Sequence, residues 1–511
     1  MTSASNNTSR IAKNTLLLYF RMLLTMGVSL YTSRVILSAL GVEDYGIYNV
    51  VGGVVAMFGI LSRSLSSAIS RFITFELGKG DFEKLKRIFC TSVNIQVILI
   101  AIIAILMETI GIWFLNNKMV IPEERLAAAN WVFQFSMVTF AVNLLSVPYN
   151  AAIIAHEKMS AFAYISVAEV ILKLIVAFII TYNPFDRLVY YGLLIMIVGM
   201  INRSIYAIYC KRHFEETKYS FVFDKELMKE MFGFAGWNFI GSSSALLRDQ
   251  GGNILINLFF GPTVNAARGI AMQVSSAAHS FVSSFMTAVN PQITKSYAVG
   301  ERDYMMKLVF QSAKFSFFIL LFITLPIIVS TSYILKIWLV DVPENSVVFV
   351  RLVLLFVLSE TLANPLVMLM QATGKIRNYQ LIVGGFQMLN FPITYICYKL
   401  GAPSESVFWV AICVSVVCEI SRLIMLKRMV ELPMSDFLKK VYFKVWFVAA
   451  IVAILPLTLK NHLKEDFLSF LILSALSVVC VAIFSYLIGC TKHDRVVINN
   501  QILKIKNRFL R

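Results

Sequence analysis

Residues 89–115 of this chain read FCTSVNIQVILIAIIAILMETIGIWFL, an apolar run with a single charged residue, Glu108. A helix that crosses the hydrocarbon core of a bilayer needs about 20 such residues. Lipid offers no partner for backbone N–H and C=O groups, so a spanning segment is a helix or part of a closed barrel. The ten-residue alternating segments of a barrel are absent from the sequence. The run therefore predicts a membrane-spanning helix.

The same length criterion, applied to all 511 residues, gives fourteen candidate spans. The seventh and eighth are unusually polar and the thirteenth is short, so a count of twelve stays open. We predict an all-α polytopic membrane protein with about 14 transmembrane helices. The spans are 14–40, 46–70, 89–115, 126–154, 160–182, 188–210, 232–260, 265–290, 308–330, 347–371, 379–399, 405–426, 442–459 and 467–489.

The composition excludes several other classes of protein. Hydrophobic residues make up 58% of the chain and charged residues only 15%, where a soluble domain has about 25%. The net charge of +17 comes with too few charges for a nucleic-acid binder, so no nucleic-acid partner is expected. The seven cysteines form no metal-ligand spacing and no disulfide framework. We expect no cofactor and no metal.

The distribution of Lys and Arg among the loops predicts the orientation. With fourteen spans, the loop set that includes both termini holds about 29 basic residues, and the other set holds fewer than ten. Basic residues favour the cytoplasmic side. We therefore predict a multi-pass protein of the bacterial cytoplasmic (inner) membrane with both termini in the cytoplasm. Most of the excess charge then faces the anionic inner leaflet, whose lipids are an expected partner.

The sequence matches itself at a shift of 220 residues. Leu40-Gly41 aligns with Phe260-Gly261, and Gly80-Asp81 aligns with Gly300-Glu301. The repeat unit then contains six helices, and an even number keeps both copies in the same orientation, as in parallel repeats. We predict two six-helix lobes related by a pseudo-two-fold axis along the membrane normal. The predicted domains are a lobe over 1–210, a cytoplasmic linker over 211–231, a lobe over 232–426, and two additional helices with a basic tail over 427–511.

Polar residues follow helical spacing on spans 1, 2, 7 and 8, the spans that the 220-residue shift pairs. A polar side chain at membrane depth faces protein or a water-filled cavity. Small polar residues also join helices together, and this reading stays open for the Ser, Gly and Ala positions. The candidate substrate-binding residues are Arg21, Thr25 and Ser29 on span 1, Arg63 on span 2, Arg248 and Asp249 on span 7, and Gln273 on span 8.

Several charges on these and other spans need partners. Because sequence neighbours do not face each other on a helix, we expect Asp249 to pair with another helix rather than with Arg248. Glu169 and Lys173 are four residues apart and are expected to neutralise each other. Glu360 could bind a proton or an ion, or could pair with Arg248. Glu169, Lys173 and Glu360 are the candidates for ion or proton coupling.

A path lined by arginine and hydroxyl groups suits an anionic, oxygen-rich cargo. Guanidinium binds phosphate through two parallel hydrogen bonds and stays charged at any working pH. Ser, Thr, Asn and Gln suit sugar hydroxyls. A lipid-linked glycan has both a pyrophosphate and sugars, whereas a cationic drug would require acidic residues and aromatics.

Particular motifs resemble a known family. They are SRVIL at 33–37, LG at 40–41, DYGIY at 44–48, NLFFG at 257–261, NAARGIA at 265–271, PQI at 291–293, Pro148, and EK at 157–158. The chain resembles the bacterial O-antigen and polysaccharide flippases (the Wzx type) of the MOP exporter superfamily, which also contains the MATE exporters and the lipid II flippase. The resemblance covers most of the first twelve spans.

The resemblance implies a non-enzymatic flippase with no catalytic residues. Such a protein exports an undecaprenyl-pyrophosphate-linked oligosaccharide, an O-antigen or capsular repeat unit, from the cytoplasmic to the periplasmic leaflet by alternating access. Polysaccharide polymerase and export machinery are then expected partners. Family arginines in spans 1, 2 and 8 correspond to Arg21, Arg63 and Arg268, with Arg268 expected at the outer end of span 8. The alternative is a cation-coupled multidrug antiporter of the same fold.

Overall fold

The structure is a computed structural model that describes residues 2–57, 59–117, 119, 121–182, 186–339, 342–491 and 495. Within the helices, the description leaves out some side chains. Regular secondary structure in the described residues is entirely helical. The prediction of an all-α protein is therefore confirmed.

The α-helices are numbered in chain order. They are α1 Thr2–Met57, α2 Gly59–Lys79, α3 Phe82–Leu106, α4 Ile112–Asn117, α5 Glu123–Ala155, α6 Met159–Thr181, α7 Arg187–His213, α8 Lys225–Ala298, α9 Arg302–Val329, α10 Thr331–Trp338, α11 Ser346–Thr361, α12 Ala363–Ala372, α13 Arg377–Met388, α14 Asn390–Lys399, α15 Ser406–Val430, α16 Met434–Phe437, α17 Lys444–Lys460 and α18 Phe467–Phe484. Short π-helical turns at Met107–Gly111, Leu438–Phe443 and Ser485–Gly489 continue α3, α16 and α18.

Ten helical segments in the described residues are long and apolar enough to cross a membrane. They coincide with ten of the fourteen predicted spans, from 89–115 to 188–210 and from 308–330 to 467–489. The other four predicted spans fall on α1, α2 and α8, and the described residues of these helices do not meet the same criterion of length and composition. Ten spans are supported in this way, and the count of fourteen stays a prediction.

Two long helices are each interrupted at one glycine. Gly41 in α1 has φ 79° and ψ 170°, and Gly261 in α8 has φ 81° and ψ −176°. This region of backbone conformation is accessible almost only to glycine. A Cβ at either position would meet nothing within 4 Å, so the backbone conformation alone requires glycine. Because Gly41 and Gly261 are 220 residues apart, the two halves place the same kink at the same point.

The turn after each of these helical regions also repeats. Gly80 and Gly300, again 220 residues apart, both have φ 77° and precede the helices α3 and α9. Residues 71–80 and 291–300 show the same order of buried, intermediate and exposed positions. These shared conformations support the 220-residue alignment that the sequence suggests.

The chain divides into two compact units. The N-terminal unit is Leu16–Phe239, and the C-terminal unit is Ile240–Arg511 together with Met1–Thr15. The division falls within α8. In the N-terminal unit, Ile47, Val51 and Val55 share one face of α1 and are buried in a core cluster with Phe133 of α5. Since lipid is as apolar as these side chains, close packing stabilises such clusters more than exclusion from water does.

An arginine joins three segments of the N-terminal unit. Arg125, in the first turn of α5, donates to Asp44 of α1 and to Asp186, with Nε–Oδ1 and Nη1–Oδ2 distances of 2.8 and 2.6 Å. Asp186 also caps α7 by accepting from the backbone N–H groups of Leu188 and Val189. Burial raises the pKa of Asp186, but the guanidinium and these N–H groups outweigh it and hold the pKa below its ordinary value. Asp44 belongs to the DYGIY motif, so this contact gives that motif residue a structural role.

In the C-terminal unit, the last two predicted spans pack against α9. The Phe317 ring of α9 meets Trp446 of α17 edge-on at 5.2 Å between ring centroids. Phe310 meets Phe437 of α16 in the same way at 5.3 Å. α18 also packs against both α9 and α17, so these three helices form one packed group.

Candidate substrate-binding site

The C-terminal unit contains a polar cavity of about 130 Å³. It lies among α8, α11, α14 and α15, and its lining includes Arg248, Asp249, Arg268, His279 and Asn390. A ligand pocket for a drug-sized molecule usually measures about 300–1,000 Å³. The cavity is therefore large enough for one small polar group rather than for a whole lipid-linked glycan.

Arg248 forms two ion pairs at this cavity. Its Nη1 lies 2.8 Å from Glu360 Oε1 on α11, and its Nε lies 3.0 Å from Asp249 Oδ1. Its guanidinium also lies over the Phe356 ring, 5.0 Å from the centroid. The expectation that Glu360 could be a partner of Arg248 is met. The expectation that Asp249 would not pair with Arg248 is wrong.

The reason for this error is the length of the arginine side chain. The Cβ atoms of sequence neighbours on a helix do point in different directions. However, the side chain of arginine is long enough to bring Nε back beside the carboxylate of the next residue, as it does here. The rule about helix faces therefore holds for short side chains and fails for Arg248.

His279 lies near the second oxygen of Glu360. Its Nε2 is 3.9 Å from Glu360 Oε2, beyond hydrogen-bond distance, and its side chain is 43% exposed. His279 therefore lies at the open edge of the charged group.

Arg268 lies deeper in the same cavity. It is 4% exposed, and its position at the outer end of its span stays a prediction. Its Nε donates to Asn253 Oδ1 at 2.7 Å and its Nη2 donates to the backbone carbonyl of Asp249 at 3.0 Å. Gly252 permits this position, because a Cβ there would lie 2.5 Å from Arg268 Nη2.

The two arginines of the cavity differ in how their charges are balanced. Arg248 faces two carboxylates. Arg268 bonds only to neutral oxygens, and in the described part of the chain no carboxylate forms an ion pair with it. Of its five N–H donors, three are left for a ligand. Asn390 lines the same cavity, and its Oδ1 is buried without a hydrogen-bond partner among the described residues. The cavity can thus donate to an anion, and a rotation of the Asn390 amide would also let it accept from a hydroxyl.

Sequence reasoning missed a second buried ion pair on α15. Arg422 Nη1 lies 3.3 Å from Glu419 Oε2, and both side chains are 7% exposed. Arg422 Nε also donates to the Tyr379 hydroxyl at 3.4 Å. The signal was available, because these opposite charges are three residues apart on an apolar span.

The candidate residues of span 1 lie in the N-terminal unit. Arg21 lies over the Phe162 ring at 4.5 Å, and its Nη1 donates to Ser166 Oγ at 3.5 Å. Thr25 donates to the backbone carbonyl of Met22, one turn earlier in its own helix. Ser29 is exposed. Arg63 is in α2, but its side chain lies outside the described residues.

The predicted pair on span 5 is present. Lys173 Nζ lies 2.6 Å from Glu169 Oε1, and Asn202 of α7 donates to the other carboxylate oxygen at 2.8 Å. Glu169 is therefore held on both oxygens. Gln273 of α8 is exposed and is not part of the cavity lining.

Comparison with known proteins places this chain in a family. A model described as "Polysaccharide biosynthesis protein" matches residues 11–297, which is more than half of the chain. The chain belongs to the polysaccharide biosynthesis protein family. The family resemblance read from the sequence is thereby confirmed. The matched region runs from α1 to the end of α8, so it contains Arg21, Arg248 and Arg268, whereas Glu360 lies beyond it.

A curated relative of this family member is an "Uncharacterized membrane protein EpsK" of Bacillus subtilis (strain 168). It is 21% identical over 289 residues, which are 56% of each protein. The match thus spans little more than half the length of that relative.

Solved structures with the same fold are transporters. A MATE protein in complex with MaD3S is 15% identical, with a TM-score of 0.72 over 85% of this chain and 97% of the other. A MOP superfamily transporter from Pyrococcus furiosus, whose binding pocket is described as having reverse polarity, is also 15% identical. It has a TM-score of 0.69 over 84% of this chain and 96% of the other. The family member therefore has the fold of the MATE transporters of the MOP superfamily.

Proposed function

We propose that this protein is a flippase of the bacterial cytoplasmic (inner) membrane. It moves an undecaprenyl-pyrophosphate-linked oligosaccharide, an O-antigen or capsular repeat unit, from the cytoplasmic to the periplasmic leaflet by alternating access. Membership of the polysaccharide biosynthesis family and the fold shared with MATE transporters support this proposal. Polysaccharide polymerase and export machinery would then act on the exported unit.

The observation that carries the proposal is the buried guanidinium of Arg268. An arginine at the centre of a bilayer costs at least about 2.5–3.5 kcal/mol on insertion scales, and at other depths a buried guanidinium still needs polar partners. Arg248 has two directly paired carboxylates, whereas the direct hydrogen bonds of Arg268 go to neutral oxygens and its one carboxylate neighbour, Asp249, is already paired with Arg248. A phosphate oxygen of the cargo would supply a directly bonded negative charge through charge-assisted hydrogen bonds.

The other arginines have different roles in this proposal. Arg248 holds Asp249 and Glu360 in place, so it shapes the cavity rather than carrying the anion. Asn390 accepts from a hydroxyl of the first sugar. In the N-terminal unit, Arg21 and Arg63 stay candidates for binding an anionic cargo.

The test is complementation of a strain that lacks this gene. Arg268→Ala should abolish surface glycan export while the amount of protein in the membrane is unchanged. Arg268→Lys should restore export only partly, because lysine keeps the charge but loses the planar pair of donors. Arg302→Ala is the matched control, since Arg302 is exposed and paired with Glu431. Normal export by Arg268→Ala would contradict the proposal.

The second candidate is a cation-coupled multidrug antiporter. The observation in its favour is the set of carboxylates, Asp249 and Glu360 at the cavity and Glu169 in the N-terminal unit. Each of the three is paired with a cation, which reduces its capacity for a cationic drug. Drug resistance on overexpression, with no glycan defect on deletion, would favour this candidate over the flippase.

A further inference from the structure

A second cavity of the C-terminal unit lies far along the chain from the charged cluster of α8. It measures about 260 Å³ and lies between the end of α9 and the connection from α17 to α18. Its lining includes Ser330, Ser332, Lys460, Asn461, Lys464 and Ser469. None of these residues has a part in the proposed translocation.

The position of this cavity is at the boundary of the membrane. Three candidate membrane spans end or begin there, at Val329, Lys460 and Phe467. The short helix α10 follows directly and exposes Ile337 and Trp338. Tryptophan is enriched where the hydrocarbon core meets water. The cavity therefore lies at the depth of the lipid headgroups.

The charges around this cavity are predominantly positive. Lys460 and Lys464 line it, and Arg351 is near enough to interact electrostatically with Lys460. Glu465 is already paired with Lys336 at 2.7 Å, and Asp466 caps α18 by accepting from the Ser469 N–H at 2.7 Å. The four cations Lys336, Arg351, Lys460 and Lys464 surround two carboxylates that already have partners, so two positive charges are in excess.

This concentration of charge is unusual for its side of the membrane. The loops assigned to the periplasmic side contain six Lys and Arg residues, and Lys336, Lys460 and Lys464 are three of them. Basic residues are generally depleted on that side. Three of the six nevertheless lie around one cavity, which indicates a local requirement for positive charge.

A buried hydroxyl gives independent evidence for a ligand. Ser330 is 5% exposed, lines the cavity, and its Oγ has no hydrogen-bond partner among the described residues. The next residue, Thr331, does satisfy its hydroxyl by donating to the backbone carbonyls of Ile327 and Ile328. A buried hydroxyl without a partner costs about 1–3 kcal/mol, and a rotation that turns Ser330 Oγ into the cavity would let a polar ligand satisfy it.

The neighbouring surface of α18 is apolar. Leu468, Leu471 and Ile472 share a face of this helix and are 65%, 46% and 43% exposed. This face begins next to the cavity and continues into the membrane-spanning part of α18. A ligand with a polar head in the cavity and an acyl chain along α18 would satisfy both surfaces.

From these observations we infer that the cavity binds the phosphate ester headgroup of an anionic membrane lipid in the periplasmic leaflet. Lys460 and Lys464 bind the phosphate, and Ser330 donates to one of its oxygens. The hydroxyl of Ser332 suits a polyol such as the glycerol of phosphatidylglycerol, and the Ser469 hydroxyl, which already bonds to Asp466, can accept from it. This lipid is a regulatory or structural ligand and is separate from the exported cargo.

The test measures the thermal stability of the purified full-length protein in detergent with added short-chain lipid. Dihexanoyl phosphatidylglycerol should raise the melting temperature of the wild type, and dihexanoyl phosphatidylcholine at the same concentration should not. Lys460→Gln/Lys464→Gln should weaken the apparent affinity for phosphatidylglycerol about tenfold or more, because hydrogen bonds to charged groups are lost. Lys399→Gln is the matched control, since Lys399 is an exposed lysine at the end of another span and lies outside the cavity.

Ser330→Ala separates ligand binding from folding. It should leave the melting temperature without lipid unchanged or higher, because it removes a buried hydroxyl that lacks a partner, and it should weaken lipid binding about fivefold. Equal affinity in the double lysine variant and the wild type would overturn the inference. Equal stabilisation by both lipids, or by inorganic phosphate alone, would overturn the assignment to an anionic lipid. Glycan export is not measured in this experiment, so its outcome is independent of the flippase proposal.

Discussion

The ion pairs of Arg248 predict a large and asymmetric effect of substitution. Arg248→Gln leaves the carboxylates of Asp249 and Glu360 without their cation, whereas Glu360→Gln still leaves Arg248 paired with Asp249. Two unit charges about 4 Å apart interact by about 4 kcal/mol at an effective dielectric constant near 20. The side chains of Arg248 and Glu360 are 15% and 20% exposed, so solvent screens this interaction only in part.

We therefore expect Arg248→Gln to lower the free energy of unfolding by about 3–5 kcal/mol, as removal of one partner from a buried pair does. Glu360→Gln should lower it by about 1–3 kcal/mol, since one charged hydrogen bond is lost. The double variant should show a coupling energy of about 1–3 kcal/mol. The assay is reversible unfolding in mixed micelles, titrated with sodium dodecyl sulfate.

The exposed pair of Arg302 and Glu431 is the matched control. Its Nη1–Oε2 distance is 2.6 Å, shorter than that of the buried pair, but the two side chains are 50% and 77% exposed. The same cycle there should give less than about 1 kcal/mol. The reasoning would be refuted if Arg248→Gln and Glu360→Gln were additive within about 0.5 kcal/mol, or if Glu360→Gln were the more harmful change.

Three further predictions rest on a close approach, on backbone conformation and on a hydrogen bond. Gly252→Ala should reduce glycan export as Arg268→Ala does, because the new Cβ would occupy the position of the guanidinium; export in the complemented deletion strain measures this. Gly41→Ala and Gly261→Ala should each lower the free energy of unfolding by about 1–3 kcal/mol in the mixed-micelle assay, because both positions have a backbone conformation that suits only glycine. Glu216 lies in the short turn Glu215–Thr217 after α7; burial raises its pKa, but hydrogen bonds with His156 and a backbone N–H outweigh this and hold the pKa below its ordinary value of 4.5. The stability that this carboxylate adds is present above about pH 4.5 and is lost as the pH falls through its lowered pKa, so Glu216→Gln should reduce the fall in melting temperature between about pH 5 and pH 3.

Each of these predictions has a control or a contradicting outcome. Gly269→Ala is the control for Gly252→Ala, since a Cβ there meets nothing within 4 Å; full export by Gly252→Ala would contradict the placement of Arg268. A loss below about 0.5 kcal/mol at both kinked glycines would show that the backbone there tolerates a side chain. An identical fall in melting temperature with pH in the wild type and in Glu216→Gln would show that the Glu216 carboxylate does not contribute to stability.

The sequence predicts the spans well where a segment is uniformly apolar. The run at 89–115 is such a case, because its length and lack of charge leave few alternatives. It predicts α8 less well, because Arg248, Asp249 and many Ser and Gly residues lower the hydropathy of a helix that has protein neighbours. The repeat at 220 residues was visible in the sequence, but the shared backbone conformation of Gly41 and Gly261 was not.

The sequence predicted which types of residue form the site, but it predicted only some of the contacts between them. Helical spacing put Asp249 on the polar stripe of span 7 with Arg248 beside it, and Glu360, alone in its helix, was a candidate partner for Arg248; the structure brings Arg248 and Glu360 together. The burial of a side chain and its distance to a partner were harder to predict, because they depend on how separate parts of the chain pack together. Arg268 is buried since Gly252 of the same kinked helix lets its guanidinium lie against the backbone. The spacing of residues along the sequence does not by itself predict such a contact.

The central claim is that the protein moves a lipid-linked anionic glycan across the membrane and that Arg268 binds its phosphate. The most direct measurement uses proteoliposomes that contain the purified protein and an undecaprenyl-pyrophosphate-linked oligosaccharide, with the fraction of glycan accessible to an external hydrolase as readout. We predict that the wild type and Arg302→Ala expose glycan from the inner leaflet, and that Arg268→Ala does so at the rate of protein-free vesicles. Equal rates for Arg268→Ala and the wild type, or no transfer by the wild type, would contradict the account.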